Sequence, residues 1–144
     1  MDILKILLAT IAATSTMTAF SYFMSEAFNN LYKEPVFLDI VMRKLGLKPG
    51  EVPRRIAAWA LHYFIGLIFV ICFEVICKQT DVNVTWLTGL IYGAICGIAG
   101  MLGWMIIFRL PENPPKVQFK EYYLQLFFAH IIFGVTVVAV YKLF

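Results

Sequence analysis

Long apolar stretches alternate with short polar connections along the whole chain. Each stretch has about 20 residues or more, the length that an α-helix needs to cross roughly 30 Å of hydrocarbon. The stretches are too continuously apolar for membrane β-strands, in which apolar and polar positions alternate. We therefore predict an all-α membrane protein that forms one domain over residues 1–144 and crosses the lipid bilayer four times. The predicted spans cover residues 3–28, 56–77, 84–108 and 122–141.

The first span begins like a signal peptide, with one early lysine followed by apolar and small residues. Its apolar pattern continues to Phe28, well past the usual length of the apolar region of a signal peptide. We therefore expect the first span to be retained as a membrane helix.

The connection between the first two spans contains a second kind of pattern. Pro35 is placed to begin a short helix and Gly46 to end one. One face of this helix is apolar and the other carries charge, which predicts an interfacial amphipathic helix over residues 35–45. Residues 48–55 follow, and their two prolines predict a non-helical segment. The apolar face comprises Val36, Phe37, Ile40, Val41 and Leu45.

Small residues recur at helical spacing in the first and third spans. Steps of three and four residues place them on one face of each helix. Such faces let membrane helices approach closely, and hydroxyls can hydrogen-bond across the contact. We predict that both faces serve helix packing, with the lining of a ligand cleft as the alternative. They consist of Thr10, Thr14, Thr18, Ser21 and Ser25 in the first span and Gly89, Gly93, Gly97 and Gly100 in the third.

Two histidines lie inside the second and fourth spans, and each is followed four residues later by a glycine. The pairs are His62 with Gly66 and His130 with Gly134. The second and fourth spans thus share one pattern, and the first and third share another. This correspondence predicts two helical hairpins related as a parallel internal repeat.

An ionisable side chain inside a bilayer is costly and is by default a candidate functional residue. His62 and His130 lie about 9 and 12 Å from the same end of their helices, so both rings fit one layer of a bundle. Two histidines in one layer could ligate a haem b iron, and Gly66 and Gly134 could leave room for the macrocycle. The alternative is that each histidine hydrogen-bonds a hydroxyl of the first span or a backbone carbonyl.

Other metals have weaker support from the sequence. Zinc needs three or four ligands. Glu26 could approach the histidine layer, whereas Glu74 is expected near the opposite membrane interface, where its carboxylate would reach water. We predict no metal site and no catalytic residue.

The composition supports the assignment to a membrane, and the distribution of charge predicts which loops face the cytoplasm. Hydrophobic residues make up 61% of the sequence, charged residues 15%, and the mean hydropathy is +0.80. Most of the lysines and arginines lie in the first and third connections, so the positive-inside rule places loops 29–55 and 109–121 in the cytoplasm and both termini outside. We expect the cell (inner) membrane and no nucleic-acid partner, because no basic helix or aromatic platform accompanies the charge.

Three functions remain open at this level. The first is a structural, interaction or accessory subunit without its own catalysis, acting in a homo-oligomer or a larger membrane complex. The second is a haem-binding electron-transfer subunit that uses His62 and His130. The third is an oligomeric transporter or channel for a proton or a small solute, lined by the polar face of the first span.

Overall fold

A computed structural model of the protein describes residues 2–47 and 50–144. The described residues form five α-helices, which are α1 (Ile3–Phe28), α2 (Glu34–Lys44), α3 (Glu51–Thr80), α4 (Trp86–Ile107) and α5 (Phe119–Tyr141). Four of them, α1, α3, α4 and α5, are long and apolar enough to cross a membrane. The prediction of an all-α protein with four candidate spans and one short helix is confirmed.

One boundary prediction is wrong. The segment before the second span was expected to be non-helical, but α3 begins at Glu51 and includes Pro53. A proline is tolerated in the first helical turn, because the backbone N–H that it lacks would have no partner there. Of the predicted non-helical residues, 48 and 49 lie outside the described residues, and Gly50 precedes the helix with a φ of 111°.

The four long helices alternate in direction, so the starts of α1 and α4 meet the ends of α3 and α5. Lys5 of α1 approaches Glu74 of α3 to 3.4 Å, and the Lys142 amine lies 5.7 Å from the Trp86 ring. We name this the terminal end of the bundle, and we name the opposite end the α2 end. Which of the two faces the cytoplasm stays a prediction from the charge pattern.

Helix α1 lies against both α3 and α5, and α4 lies against α5. The sequential pairs α1 with α3 and α4 with α5 therefore pack together as the two predicted hairpins do. A parallel repeat would also pair α3 with α4 in the way that α1 pairs with α5, but α3 and α4 make no contact of comparable extent. The internal repeat stays a prediction.

Helices α4 and α5 meet along a seam in which backbone touches backbone. A Cβ added to Gly93 would lie 2.5 Å from the carbonyl oxygen of His130 and 2.7 Å from Cα of Ile131. A Cβ on Gly89 would lie 2.8 Å from the carbonyl oxygen of Gly134. Only glycine fits at these positions, and the close approach adds dispersion contacts along the seam.

On the other side of the bundle, α3 and α4 touch mainly near the terminal end. The Tyr92 hydroxyl donates to the carbonyl oxygen of Phe69 at 2.5 Å, and the Tyr92 ring packs against Phe73 with centroids 5.0 Å apart. Toward the α2 end a space remains between the two helices.

Helix α2 covers this space from the α2 end. The Phe37 side chain is buried against the rings of Trp104, Phe108 and Tyr122, with centroid distances of 6.0, 5.3 and 5.0 Å. The expected apolar face is therefore partly a core face of the protein, whereas its last member, Leu45, is 45% exposed. The contribution of this helix to a lipid interface stays a prediction.

Candidate functional site

The space between α3 and α4 is a cavity of about 170 Å³ inside the bundle. Phe69 and Phe133 form part of its wall, and Trp104 and Leu38 lie toward the α2 end. Three ionisable side chains on three different helices also line it, namely Glu34 of α2, His62 of α3 and His130 of α5. The cavity is close in size to engineered apolar cavities of about 150 Å³ that hold benzene.

The rim of the cavity faces the outside of the bundle between α3 and α4. Ala99 lines the cavity and is exposed, while Ile65 and Gly103 are half-buried. In a bilayer this opening meets the hydrocarbon region, so a molecule dissolved in the membrane could reach the cavity without crossing the protein.

The hydrogen bonds of His62 fix which of its ring nitrogens carries hydrogen when the ring is neutral. The Thr18 hydroxyl donates to the carbonyl oxygen of Thr14 at 2.6 Å. With its hydrogen used there, Thr18 Oγ1 accepts from His62 Nε2 at 2.9 Å. The Nδ1 atom of His62 therefore keeps a free lone pair. This contact matches the predicted bond between a histidine and a hydroxyl of the first span.

His130 is fixed in the opposite tautomer. Its Nδ1 lies 2.8 Å from the carbonyl oxygen of Leu126, and since a carbonyl can only accept, Nδ1 carries the hydrogen. The neutral ring then presents Nε2 as an acceptor, and it packs edge-on to Phe69 with centroids 5.9 Å apart. A Cβ on Gly100 would lie 2.9 Å from Nε2, so this glycine makes room for the ring.

Glu34 brings a carboxylate into the bundle although it belongs to the connection between the first two spans. The residue is only 1% exposed, and Ser21 donates to its Oε1 at 2.7 Å. Its Oε2 has no hydrogen-bond partner among the described residues. Burial raises the pKa of Glu34 to about 7, and the bond from Ser21 opposes this rise.

Polar side chains of α5 surround the same carboxylate. Gln125 donates to Ser21 Oγ at 2.6 Å, so Ser21 links Gln125 to Glu34. Tyr122 is fully buried beside Phe37, and its hydroxyl has no hydrogen-bond partner within residues 2–47 and 50–144. Uncompensated polar atoms are costly in a protein interior, and of the described residues with such an atom, Glu34 and Thr14 line the cavity.

Of the residues predicted from sequence, the structure brings five to the cavity wall, which are Thr14, His62, Gly66, Gly100 and His130. The space beside two of the predicted glycines is already occupied. The Thr14 hydroxyl fills the space beside Gly66, and the backbone of Gly89 and Gly93 fills that beside Gly134. These glycines serve helix packing in the structure, and the haem hypothesis stays a prediction without support from their surroundings.

The remaining members of the two small-residue faces do not line the cavity themselves, although Thr18 and Ser21 hydrogen-bond the lining residues His62 and Glu34. Thr10 donates to the carbonyl oxygen of Ile6 at 2.8 Å, and Ser25 accepts from the backbone N–H of Tyr32 at 2.8 Å. Gly97 lies against Phe127 of α5. All five hydroxyl residues of the predicted face of α1 are buried, so this face points into the bundle as the spacing predicts.

The acidic residues weighed for a metal site are placed elsewhere. Glu26 pairs with Lys33 at 2.7 Å on the surface. Glu74 was expected to reach water, but its side chain is buried at the terminal end between Lys78, at 2.9 Å, and Lys5. Within the part of the chain that the structure describes, no three His, Cys, Asp or Glu side chains lie close enough to hold a metal ion.

Glu34 and Gln125 are site residues that the sequence reasoning missed, although Glu34 had a signal. It shares the spacing i, i+3, i+4 and i+7 with Phe37, Leu38 and Val41, all of which are buried. An acidic residue in line with an apolar helix face is itself a candidate for burial.

Comparisons of the chain with protein-family models, with curated proteins and with solved structures gave no significant match.

Proposed function

We propose that this small multi-pass membrane protein binds a small solute in the cavity between α3 and α4 and has no catalysis of its own. One observation carries the proposal, namely that Glu34, His62 and His130 converge from three helices on an otherwise largely apolar cavity. Ligand sites in proteins typically combine an apolar wall with a few converging polar groups. Ionisable side chains inside a membrane bundle typically mark sites for substrates or ions.

Solute binding combines two of the functions left open by the sequence. A binding protein of this kind would act as an accessory component of a larger system, or as one unit of an oligomeric transporter. The glycine face of α4 packs against α5 in the seam, so it is not available to mediate a homodimer. The accessory role is therefore supported by the cavity rather than by a free packing face.

Filling the cavity tests this proposal. Gly103 lines the cavity, and a Cβ added there meets no atom within 4 Å, so Gly103→Leu should enter the empty space without a backbone clash. Leu102→Phe, on the exposed side of the same helix, is the matched control. Trp104 in the cavity wall can report binding by its fluorescence in a background in which Trp59 and Trp86 are replaced by phenylalanine.

Three ring compounds of similar size serve as probes, which are cyclohexylamine, cyclohexanol and cyclohexanecarboxylate. With the protein in phosphatidylcholine nanodiscs, we expect at least one of them to bind saturably. Gly103→Leu should weaken that binding by at least tenfold, and Leu102→Phe should leave it unchanged. Saturable binding that survives Gly103→Leu would overturn the proposal, as would the failure of all three probes to bind.

A further inference from the structure

We propose that the cavity takes a small amphiphilic molecule with a protonated amine, whose ammonium group binds Glu34 and the free ring nitrogens of His62 and His130. This inference rests on the proposed function and adds the chemical class of the ligand.

The first support is that the ionisable groups of the cavity offer acceptors. Glu34 has one carboxylate oxygen without a partner in residues 2–47 and 50–144, and the hydrogen-bond arrangement leaves His62 Nδ1 and His130 Nε2 as lone-pair acceptors. The hydroxyl hydrogens of Thr18 and Ser21 are already donated to the Thr14 carbonyl oxygen and to Glu34, and the Thr14 hydroxyl, which lines the cavity without a partner among the described residues, can accept as well as donate. A ligand that completes this set must supply N–H or O–H donors, and an ammonium group supplies three.

The second support is the sign of the charge. Among the residues that line the cavity, α2 contributes Glu34, α3 contributes His62 and α5 contributes His130, whereas α1 and α4 contribute no acidic or basic residue. Each imidazole offers an uncharged lone-pair nitrogen, because the hydrogen-bond partners of His62 Nε2 and His130 Nδ1 place the ring hydrogen on those atoms. The remaining charge is the carboxylate, which favours a cation.

The third support is the shape and surroundings of the cavity. The aromatic rings of Phe69, Phe133 and Trp104 line it, and aromatic faces attract ammonium groups. The opening between Ala99 and Ile65 would meet the bilayer, which suits a molecule with an apolar body. Burial raises the pKa of Glu34 to about 7, so a bound cation would compensate a carboxylate that has no charge partner among the described residues.

A metal ion fits these groups less well, because no set of three His, Cys, Asp or Glu side chains within the described ranges converges at ligand distance. An ammonium nitrogen contacts its acceptors at about 2.7–2.9 Å, against about 2.0–2.6 Å for a metal ion, so it can serve acceptors that lie somewhat farther apart.

The relative affinities of the three probes test the inference in nanodiscs at pH 8, where the amine is protonated. We expect cyclohexylamine to bind the wild-type protein at least tenfold more tightly than cyclohexanol, and cyclohexanecarboxylate to bind most weakly. Equal affinities for the amine and the alcohol, or tighter binding of the carboxylate, would overturn the amine assignment while leaving solute binding intact. Absence of binding by every probe would instead overturn the proposed function itself.

Two variants then test whether Glu34 is responsible for the preference for the amine. Glu34→Gln should lower the affinity for cyclohexylamine by at least tenfold and leave that for cyclohexanol unchanged, because it removes the charge but keeps the size of the side chain. Glu26→Gln, which alters an exposed carboxylate paired with Lys33, should bind both probes as the wild type does. An amine preference that persists in Glu34→Gln would overturn the role of Glu34. The wild-type comparison stands by itself if Glu34→Gln does not fold.

Discussion

The seam between α4 and α5 and the space between α3 and α4 are opposite solutions to helix packing in one small bundle. In the seam, Gly89, Gly93 and Gly134 bring two backbones into direct contact. Between α3 and α4, the helices touch through Tyr92 and Phe73 near the terminal end and leave a cavity toward the α2 end. Helix α4 takes part in both arrangements through different faces.

This contrast shows that the glycines of one helix do not share a single structural role. Gly93 is required because a side chain would collide with the α5 backbone, whereas Gly103, ten residues later, borders empty space. The seam holds α4 in place by close backbone packing. The side of the bundle that contains the cavity between α3 and α4, which we call the open side, is covered by α2. Glu34 supplies much of its polarity.

The largest effect is expected where α2 covers the open side. Phe37→Ala removes a buried ring that packs edge-on against Phe108 and Tyr122, and it should lower the free energy of unfolding by about 3 to 5 kcal/mol. Phe128→Ala, which alters an exposed ring on α5, is the control and should cost much less. Reversible unfolding in mixed micelles would measure both. Equal losses would mean that α2 does not contribute to the core.

A second effect should appear in the pH dependence of stability and should come from the open side alone. Because the pKa of Glu34 is raised from 4.5 to about 7, the folded protein holds this proton at pH values where the unfolded chain has released it. The contribution of Glu34 to the free energy of unfolding should therefore decrease as the pH rises from 4.5 to 7 and then level off, by a total on the order of 3 kcal/mol.

Unfolding measured across this pH range with Glu34→Gln checks that expectation. The variant should lose most of the decrease and should be more stable than the wild type at pH 8. Glu26→Gln should retain the decrease, and so should any variant of the glycine seam. A pH profile unchanged by Glu34→Gln would show that the carboxylate is not buried as described.

The smallest effect compares two glycines of the same helix. Gly93→Ala places a methyl group against the backbone at His130 and Ile131, and such overpacking should cost about 1 to 3 kcal/mol. Gly103→Ala meets no neighbouring atom and should change stability by less than about 1 kcal/mol, in the stabilising direction expected from helix propensity. Thermal melting of the two variants side by side measures the difference. Similar melting temperatures would remove the distinction between seam and cavity.

Much of the fold could be read from local pattern. The first predicted span, 3–28, has the bounds of α1. The ends of the other three predicted spans differ from those of their helices by five residues or fewer. The start of α3 was missed because Pro53 was taken to prevent a helix, although the first turn tolerates proline. The inward direction of the hydroxyl face of α1 followed from its spacing.

Only part of the candidate site could be predicted from the sequence. His62 and His130 stand out in the sequence because ionisable residues are rare in membrane spans, and the structure places both on one cavity. The sequence suggested that Gly66 and Gly134 could leave room for a haem macrocycle, but the space beside Gly66 holds Thr14 and the space beside Gly134 holds α4. The meeting of Glu34 with Ser21 and Gln125 joins three distant parts of the chain, and no local pattern reports such a contact.

The sequence by itself determined that the chain forms four membrane-length helices and a short amphipathic one, because span length and helical periodicity are local properties of the chain. Only the tertiary structure decided which small residues pack and which border a cavity, since that depends on the neighbour that each helix face meets. It also decided that Glu34 enters the bundle. That placement arises because Phe37, on the same face of α2, is buried against α4 and α5 and brings the carboxylate inside with it.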